Sequence, residues 1–124
     1  MERNTRQRDA IRSVFGRAGR PLSPQEVHER ADRIVAGVSM ATVYRSLKGM
    51  VEEGEIVTVD LPGQPPRYEP AGLDHHHHFQ CRSCSRVFDI EGCPGAIDGM
   101  APAGFVVESH EITLTGLCDR CAGG

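Results

Sequence analysis

Residues 74–84 read DHHHHFQCRSC, and this stretch decides how the second half of the chain folds. Four consecutive histidines occupy residues 75–78, and a Cys-x-x-Cys pair, Cys81 and Cys84, follows three residues later. A second pair of the same spacing, Cys118 and Cys121, lies near the carboxyl end. Four thiolates in this pattern match a closed tetrahedral zinc site. The sequence therefore predicts a small carboxyl-terminal domain closed around a structural zinc ion.

The composition limits the class of protein. With 124 residues and 39% hydrophobic content, the chain can form one modest domain or two small ones. The sequence contains no apolar run of membrane-spanning length and no secretory leader, so we expect a soluble cytoplasmic protein. In that reducing compartment the paired cysteines favour zinc over disulfide bonds, which are the alternative.

The first half of the chain has helical periodicity that changes to strand-like alternation. Apolar residues recur at helical spacing over residues 6–18, with Asn4 or Thr5 as the expected cap. Ser23 and Glu26 form a capping box for a second helix, and Ser39 can cap a third. A β-branched run at residues 56–59, a turn and a return strand at residues 67–69 follow. We expect the buried stripes of the second and third helices to include Ile34 and Val51.

Three helices followed by a hairpin is the order of a winged helix-turn-helix, so the predicted class is α+β. In that arrangement the third helix enters the DNA major groove. Its outward polar residues suit contacts with bases and phosphates, although a merely solvated helix face is the alternative. They are Ser39, Thr42, Tyr44, Arg45 and Lys48. Six arginines among the first twenty residues give a basic cluster that suits phosphate contact.

The histidine run can supply two metal sites. In an extended strand, alternate side chains point to opposite faces, so His75 and His77 face one way and His76 and His78 the other. The sequence offers further candidate ligands outside the run. These are Glu69, Asp89, Cys93 and His110.

Three motifs together resemble the ferric uptake regulator family of metal-dependent repressors. They are ATVYRSL at residues 41–47, TRQR at residues 5–8 and the histidine run with its cysteine pair. The resemblance implies a winged-helix DNA-binding domain at residues 1–72 and a metal-binding dimerisation domain at residues 73–124. It also implies a homodimer that binds palindromic double-stranded operator DNA when loaded with a divalent metal.

The resemblance assigns roles to individual residues. The structural zinc ligands would be Cys81, Cys84, Cys118 and Cys121. A regulatory metal site between the domains would use Glu69, His76, His78 and Asp89. A second metal site would use His75, His77, Cys93 and His110. The amino-terminal motif TRQR at residues 5–8 adds Arg8 to the DNA-binding residues.

The ligand types favour zinc as the sensed metal. Many relatives carry a further histidine where this chain has Pro21, so the regulatory site has four nitrogen and oxygen ligands. Such a set, together with the soft Cys93 at the second site, suits tetrahedral zinc better than octahedral iron or manganese. The chain is thus most similar to the zinc uptake regulators of the family. Fe2+ or Mn2+ in the regulatory site, and peroxide sensing, are alternatives within the family.

Two other classes of function can be weighed from the sequence. The chain has no metalloprotease motif, no nucleophile elbow and no phosphate-binding glycine loop, so we do not expect an enzyme. A zinc-ribbon interaction module that does not bind DNA is the alternative from another class.

Overall fold

The computed structural model describes residues 2–61, 63–93 and 96–123. Contacts within the chain divide it into two compact units, an amino-terminal unit that ends at Leu73 and a carboxyl-terminal unit that starts at Asp74. None of the helices in the described ranges has the length and apolar character needed to span a bilayer.

The amino-terminal unit begins with three helices: α1 (Glu2–Ala18), α2 (Pro24–Ile34) and α3 (Met40–Glu52). At the start of α2, the Ser23 hydroxyl accepts from the Glu26 amide, and the Glu26 carboxylate accepts from the Ser23 amide. The Ser39 hydroxyl accepts from the Thr42 amide at the start of α3. These caps satisfy main-chain donors that a helix leaves unpaired at its first turn. The predicted capping box and the predicted cap of α3 are both present.

The strands β1 (Ile56–Val59) and β2 (Arg67–Pro70) form the antiparallel hairpin of this unit. Leu22, between α1 and α2, exchanges two main-chain hydrogen bonds with Tyr68 on β2, which ties the hairpin to the helices. The helices enclose a continuous apolar core. Its most buried members are Ile11, Leu22, Val27, Ala31, Val43 and Leu47.

Three details of the helices differ from the sequence prediction. Helix α1 begins at Glu2, so Asn4 and Thr5 lie within the helix and do not cap it. Ile34 and Val51, expected in the core, are 49% and 37% exposed. Both lie in the last turn of their helices.

The carboxyl-terminal unit is built on a three-stranded sheet. Its strands are β3 (His76–Cys81), β4 (Val87–Glu91) and β5 (Thr113–Gly116), in the order β4-β3-β5. Strand β3 pairs antiparallel to β4, with His78 opposite Asp89, and parallel to β5. Because directly opposed residues in an antiparallel pair share a face, this register places Asp89 on the His78 side of the sheet.

The remainder of this unit has little regular structure. A 3-10 helix (Ile97–Met100) precedes β5, and a short helix α4 (Asp119–Gly123) follows it. Residues 106–117 contain a run of alternating apolar and polar residues, and strand β5 covers Thr113–Gly116 of this stretch.

The carboxyl-terminal unit has a very small apolar core. Within its described residues, the buried apolar side chains are those of Val87, Cys81 and Cys118. A core of this size contributes too little apolar burial to stabilise a domain of about fifty residues, and small domains of this kind rely on metals or other cross-links. The four paired cysteines are the candidates for such a cross-link in this unit.

Candidate metal centres and nucleic-acid interface

The first candidate centre contains the four paired cysteines. The knuckle between β3 and β4 supplies Cys81 and Cys84, and the end of the chain supplies Cys118 and Cys121. Their sulfur atoms all lie within 4.8 Å of one another, and the Sγ atoms of Cys84 and Cys118 are 3.9 Å apart. Sulfur ligands about 2.3 Å from a tetrahedral zinc ion lie about 3.8 Å from each other. The four side chains are thus grouped closely enough to hold a zinc ion, and the spacing of Cys84 and Cys118 matches that of zinc ligands.

The electrostatics of the four thiols also favour a cation. The amides of Cys84 and Cys118 each donate to Cys81 Sγ at 3.4 Å, and these hydrogen bonds lower the pKa of Cys81 to about 6. A hydrogen bond with Ser83 lowers the pKa of Cys121, but the thiols of Cys118 and Cys81 outweigh it and raise the pKa to about 11. Four adjacent thiolates repel one another unless a cation lies between them.

The second candidate centre lies on one face of β3. The Nε2 atoms of His76 and His78 approach the same oxygen, Oδ1 of Asp89, at 3.4 and 3.5 Å. The main-chain carbonyl of Asp74 lies 2.7 Å from Nδ1 of His76, so that nitrogen carries the proton and Nε2 presents its lone pair. Nitrogen and oxygen ligands about 2.0–2.1 Å from a tetrahedral zinc ion lie about 3.3 Å apart. The two histidines and the carboxylate have this spacing.

Glu69 was the fourth ligand expected at that centre. It lies on β2 of the amino-terminal unit, and 5% of the residue is exposed. A buried carboxylate needs a hydrogen-bonding partner, an opposite charge or a metal ion.

The third candidate centre lies on the opposite face of β3. Nε2 of His110 is 3.0 Å from Cys93 Sγ and 3.2 Å from Nε2 of His75. Ligand atoms of these three residues and of His77 all lie within 4.8 Å of one another. Three imidazoles and one thiolate form a mixed set that suits zinc.

His77 is the most buried member of this third group, at 4% exposure. Burial lowers its pKa below the ordinary value, and the neighbouring rings of His75 and His110 lower it further. Its Nδ1 accepts from the Ile112 amide at 3.1 Å, which leaves the proton of the neutral ring on Nε2. That nitrogen is buried with no hydrogen-bond partner among the described residues. To bind a cation at Nε2, His77 would carry its proton on Nδ1 instead, which would satisfy Nε2 but end the hydrogen bond from the Ile112 amide.

Asp98 was not identified from the sequence. Its Oδ1 atom lies 2.9 Å from Nδ1 of His110, on the side of the ring opposite Cys93. Asp98 belongs to no recognisable sequence motif, so its contact with His110 is seen only in the folded structure.

The exposed side of α3 forms the candidate nucleic-acid interface. Tyr44 is 55% exposed, and Arg45 and Lys48 are also exposed. The Arg45 guanidinium donates to Thr42 Oγ1 at 3.2 Å, and the Ser39 hydroxyl donates to the same oxygen at 3.0 Å. These contacts restrict Arg45 before any ligand is bound. On α1, Arg8 is exposed as well.

The sequence is similar to metal-responsive regulation proteins along nearly its whole length. The model of the Ferric uptake regulator family matches residues 2–115. The zinc uptake regulation protein of Mycobacterium tuberculosis is 32% identical over 122 residues, which are 96% of this chain and 94% of that protein. The ferric uptake regulation protein of Helicobacter pylori is 31% identical over 124 residues, covering 96% of this chain and 81% of that protein.

The solved structures add information on the fold. A structure described as a zinc-bound manganese uptake regulator superposes with a TM-score of 0.79 at 24% identity, covering 90% of this chain and 87% of the other. This likeness confirms the predicted α+β fold class, a winged helix-turn-helix followed by a smaller unit of helix and strand.

Proposed function

The chain belongs to the ferric uptake regulator family of metal-responsive transcription regulators, and we propose that it is a zinc-responsive repressor of genes for metal uptake and homeostasis. Like its family it is a regulator and not an enzyme. The observation that carries the proposal is the shared contact of His76 and His78 with Asp89 at 3.4 and 3.5 Å. Two imidazole nitrogens and one carboxylate oxygen at this spacing form most of a tetrahedral ion site.

The metal switch would couple this site to the DNA-binding domain. Glu69 would be the fourth ligand, contributed by the wing, while His76, His78 and Asp89 come from the dimerisation domain. An ion held by both domains would fix the angle between them. Metal would then bind more tightly to the DNA-competent arrangement, and DNA affinity would rise by the same ratio. Coupling of about 1–3 kcal/mol corresponds to roughly 5- to 150-fold in affinity.

DNA recognition would use α3 and the arginines of α1. Arg45, restrained by Thr42 at 3.2 Å, is placed to pair with a guanine edge or a phosphate. Tyr44 and Lys48 lie on the same exposed side. Arg8 would contact the phosphate backbone, which adds affinity without base specificity.

We further propose that the protein acts in the cytoplasm as a homodimer on palindromic operators. The carboxyl-terminal unit exposes several large apolar side chains, and such a patch indicates an interaction surface. They are Met100, Phe105, Val106, Val107, Leu114 and Leu117. Strand β5, at the edge of the sheet, carries one of them. A two-fold dimer would present two α3 helices to successive major grooves. The operator is therefore expected to be palindromic, because its two half-sites would follow the same symmetry.

The four cysteines would hold a structural zinc ion that stabilises the dimerisation domain, and His75, His77, Cys93 and His110 would hold a second exchangeable ion. The thiolate of Cys93 supports zinc at that second site, because soft sulfur ligands disfavour iron(II) and manganese(II) relative to zinc.

A second candidate is a regulator that responds to iron or manganese, including one that senses peroxide through bound iron. Asp89 favours it, because a carboxylate oxygen is also a good ligand for these harder ions. Metal analysis of protein purified without added metal, followed by DNA-binding titrations with Zn2+, Fe2+ and Mn2+, distinguishes the two. We expect zinc to give tight DNA binding at the lowest free-metal concentration. Activation by Fe2+ or Mn2+ but not by Zn2+ would contradict the zinc assignment.

A further inference from the structure

We propose that Asp98 is a positioning residue of the second metal site, holding His110 in the tautomer that presents Nε2 to the ion. This inference rests on the second site proposed above. Its basis is the 2.9 Å contact between Asp98 Oδ1 and Nδ1 of His110. Nε2 of the same ring meets Cys93 Sγ at 3.0 Å and Nε2 of His75 at 3.2 Å.

The chemistry follows from the two nitrogens of a neutral imidazole. Only one carries a proton, and only the other can bind a metal. A carboxylate accepts hydrogen bonds and cannot donate one, so Asp98 places the proton on Nδ1 of His110. The lone pair of Nε2 is then directed at Cys93 and His75. A carboxylate behind a ligating histidine also increases the basicity of the ring.

Asp98 is distinguished from the other acidic residues of the same cleft. Glu108 and Glu111 line this cleft together with Asp98, His75 and His110. Within the described chain, neither glutamate makes a hydrogen bond or an ion pair with His110. All three carboxylates can attract a cation, but only Asp98 acts on the ring through a directed contact.

The segment that carries Asp98 is itself braced. Asp98 lies in the 3-10 helix Ile97–Met100, where the Gly99 amide donates to the Ala96 carbonyl at 3.1 Å. The Ala101 amide donates to the Asp98 carbonyl at 3.3 Å. A hydrogen-bonded turn holds the carboxylate more firmly than an open loop would, which is what the positioning of a metal ligand requires.

The test uses the full-length protein with zinc retained in the four-cysteine site. Co2+ is titrated into the wild type and into the variants Asp98→Ala, Glu108→Ala and His110→Ala, and Zn2+ is then added in competition. The thiolate-to-cobalt charge-transfer band reports the second site, because Cys93 is the remaining cysteine. We expect Asp98→Ala to weaken metal binding there by about 10- to 100-fold. Glu108→Ala removes the same charge from the same cleft, so it measures the effect of charge alone and should weaken binding far less.

A second readout separates positioning from a general structural effect. Long-range proton–nitrogen NMR of the protein without metal in this site should place the proton of His110 on Nδ1 in the wild type. In Asp98→Ala the proton should move, in part or entirely, to Nε2. An unchanged tautomer, or equal weakening by Asp98→Ala and Glu108→Ala, would overturn the role of Asp98. A thiolate band that appears in His110→Ala at the same Co2+ concentration as in the wild type would instead overturn the second site itself.

Discussion

His76 Nε2 lies 3.4 Å from Asp89 Oδ1, a diagonal contact between the adjacent strands β3 and β4, because the residue directly opposite Asp89 is His78. Both atoms are hydrogen-bond acceptors when Nδ1 of His76 donates to the Asp74 carbonyl. Two acceptors at this distance gain from a cation between them. The next residue along the strand, His77, belongs to the group on the opposite face of the sheet. Substitutions at neighbouring positions should therefore affect different metal sites.

His76→Ala should give a folded dimer whose DNA binding no longer responds to metal. The variant removes one ligand of the proposed regulatory site, so the coupling of roughly 5- to 150-fold should be lost. Fluorescence anisotropy with operator DNA at increasing zinc measures it. His75→Ala, on the opposite face, is the matched control and should keep most of the response. Loss of the dimer in His76→Ala would show that this site is structural.

Cys81→Ser should unfold the carboxyl-terminal domain or make the protein monomeric. The free energy of binding a structural zinc ion is also free energy of folding, and removal of one thiolate forfeits much of it. We expect destabilisation of more than about 3 kcal/mol, beyond the ordinary range for single substitutions. Zinc content, sedimentation and thermal unfolding measure the change. Cys93→Ser is the control, and a loss of similar size there would contradict the separation of the two sites.

Arg45→Ala should weaken operator binding by about 1–3 kcal/mol without altering zinc affinity. The guanidinium is exposed on α3 and already restrained by Thr42, so its contact with DNA loses little side-chain entropy. Binding curves at several salt concentrations measure the effect. Arg86→Ala removes an exposed arginine from the other unit. Equal weakening by both variants would indicate that overall charge, and not α3, determines the affinity.

The ion pair at the start of α2 gives a prediction for pH. Burial raises the pKa of Glu26. Hydrogen bonds from Arg20 and from the Ser23 amide lower that pKa by more than burial raises it, so it lies below its ordinary value of 4.5. The ionised form is thus favoured by folding, and its contribution to stability is present above about pH 4.5 and is lost at lower pH. Arg20→Met should raise the pKa of Glu26, as measured by NMR titration of its carboxyl carbon. Arg17 is exposed on α1, and the control variant Arg17→Met should leave the pKa of Glu26 unchanged. An unchanged pKa of Glu26 in Arg20→Met would show that the ion pair contributes nothing.

Local patterns predicted the helical domain well because the signals are short-range. Ser23 and Glu26 are three residues apart, and the contact between them needs only a helical turn. The alternation of the histidines was equally accessible, because it follows from the two-residue period of a strand. Predictions failed where burial depended on distant packing, as at Ile34 and Val51.

The remaining features depend on contacts between residues far apart in sequence. The register of β3 with β4 places Asp89 opposite His78, and no local pattern specifies that register. Asp98 meets His110 only because an irregular segment folds back on itself. The short helix α4 was also missed, since five residues give too little periodicity to recognise.

The central claim is that zinc at the site of His76, His78 and Asp89 increases the affinity for operator DNA. The most direct measurement uses a duplex selected from random sequence by the zinc-loaded protein. Its affinity is then compared for protein with and without added zinc, the four-cysteine site being filled in both. The account predicts binding that is roughly 5- to 150-fold tighter with zinc. Equal affinity in the two states, or failure of any duplex to be selected, would contradict it.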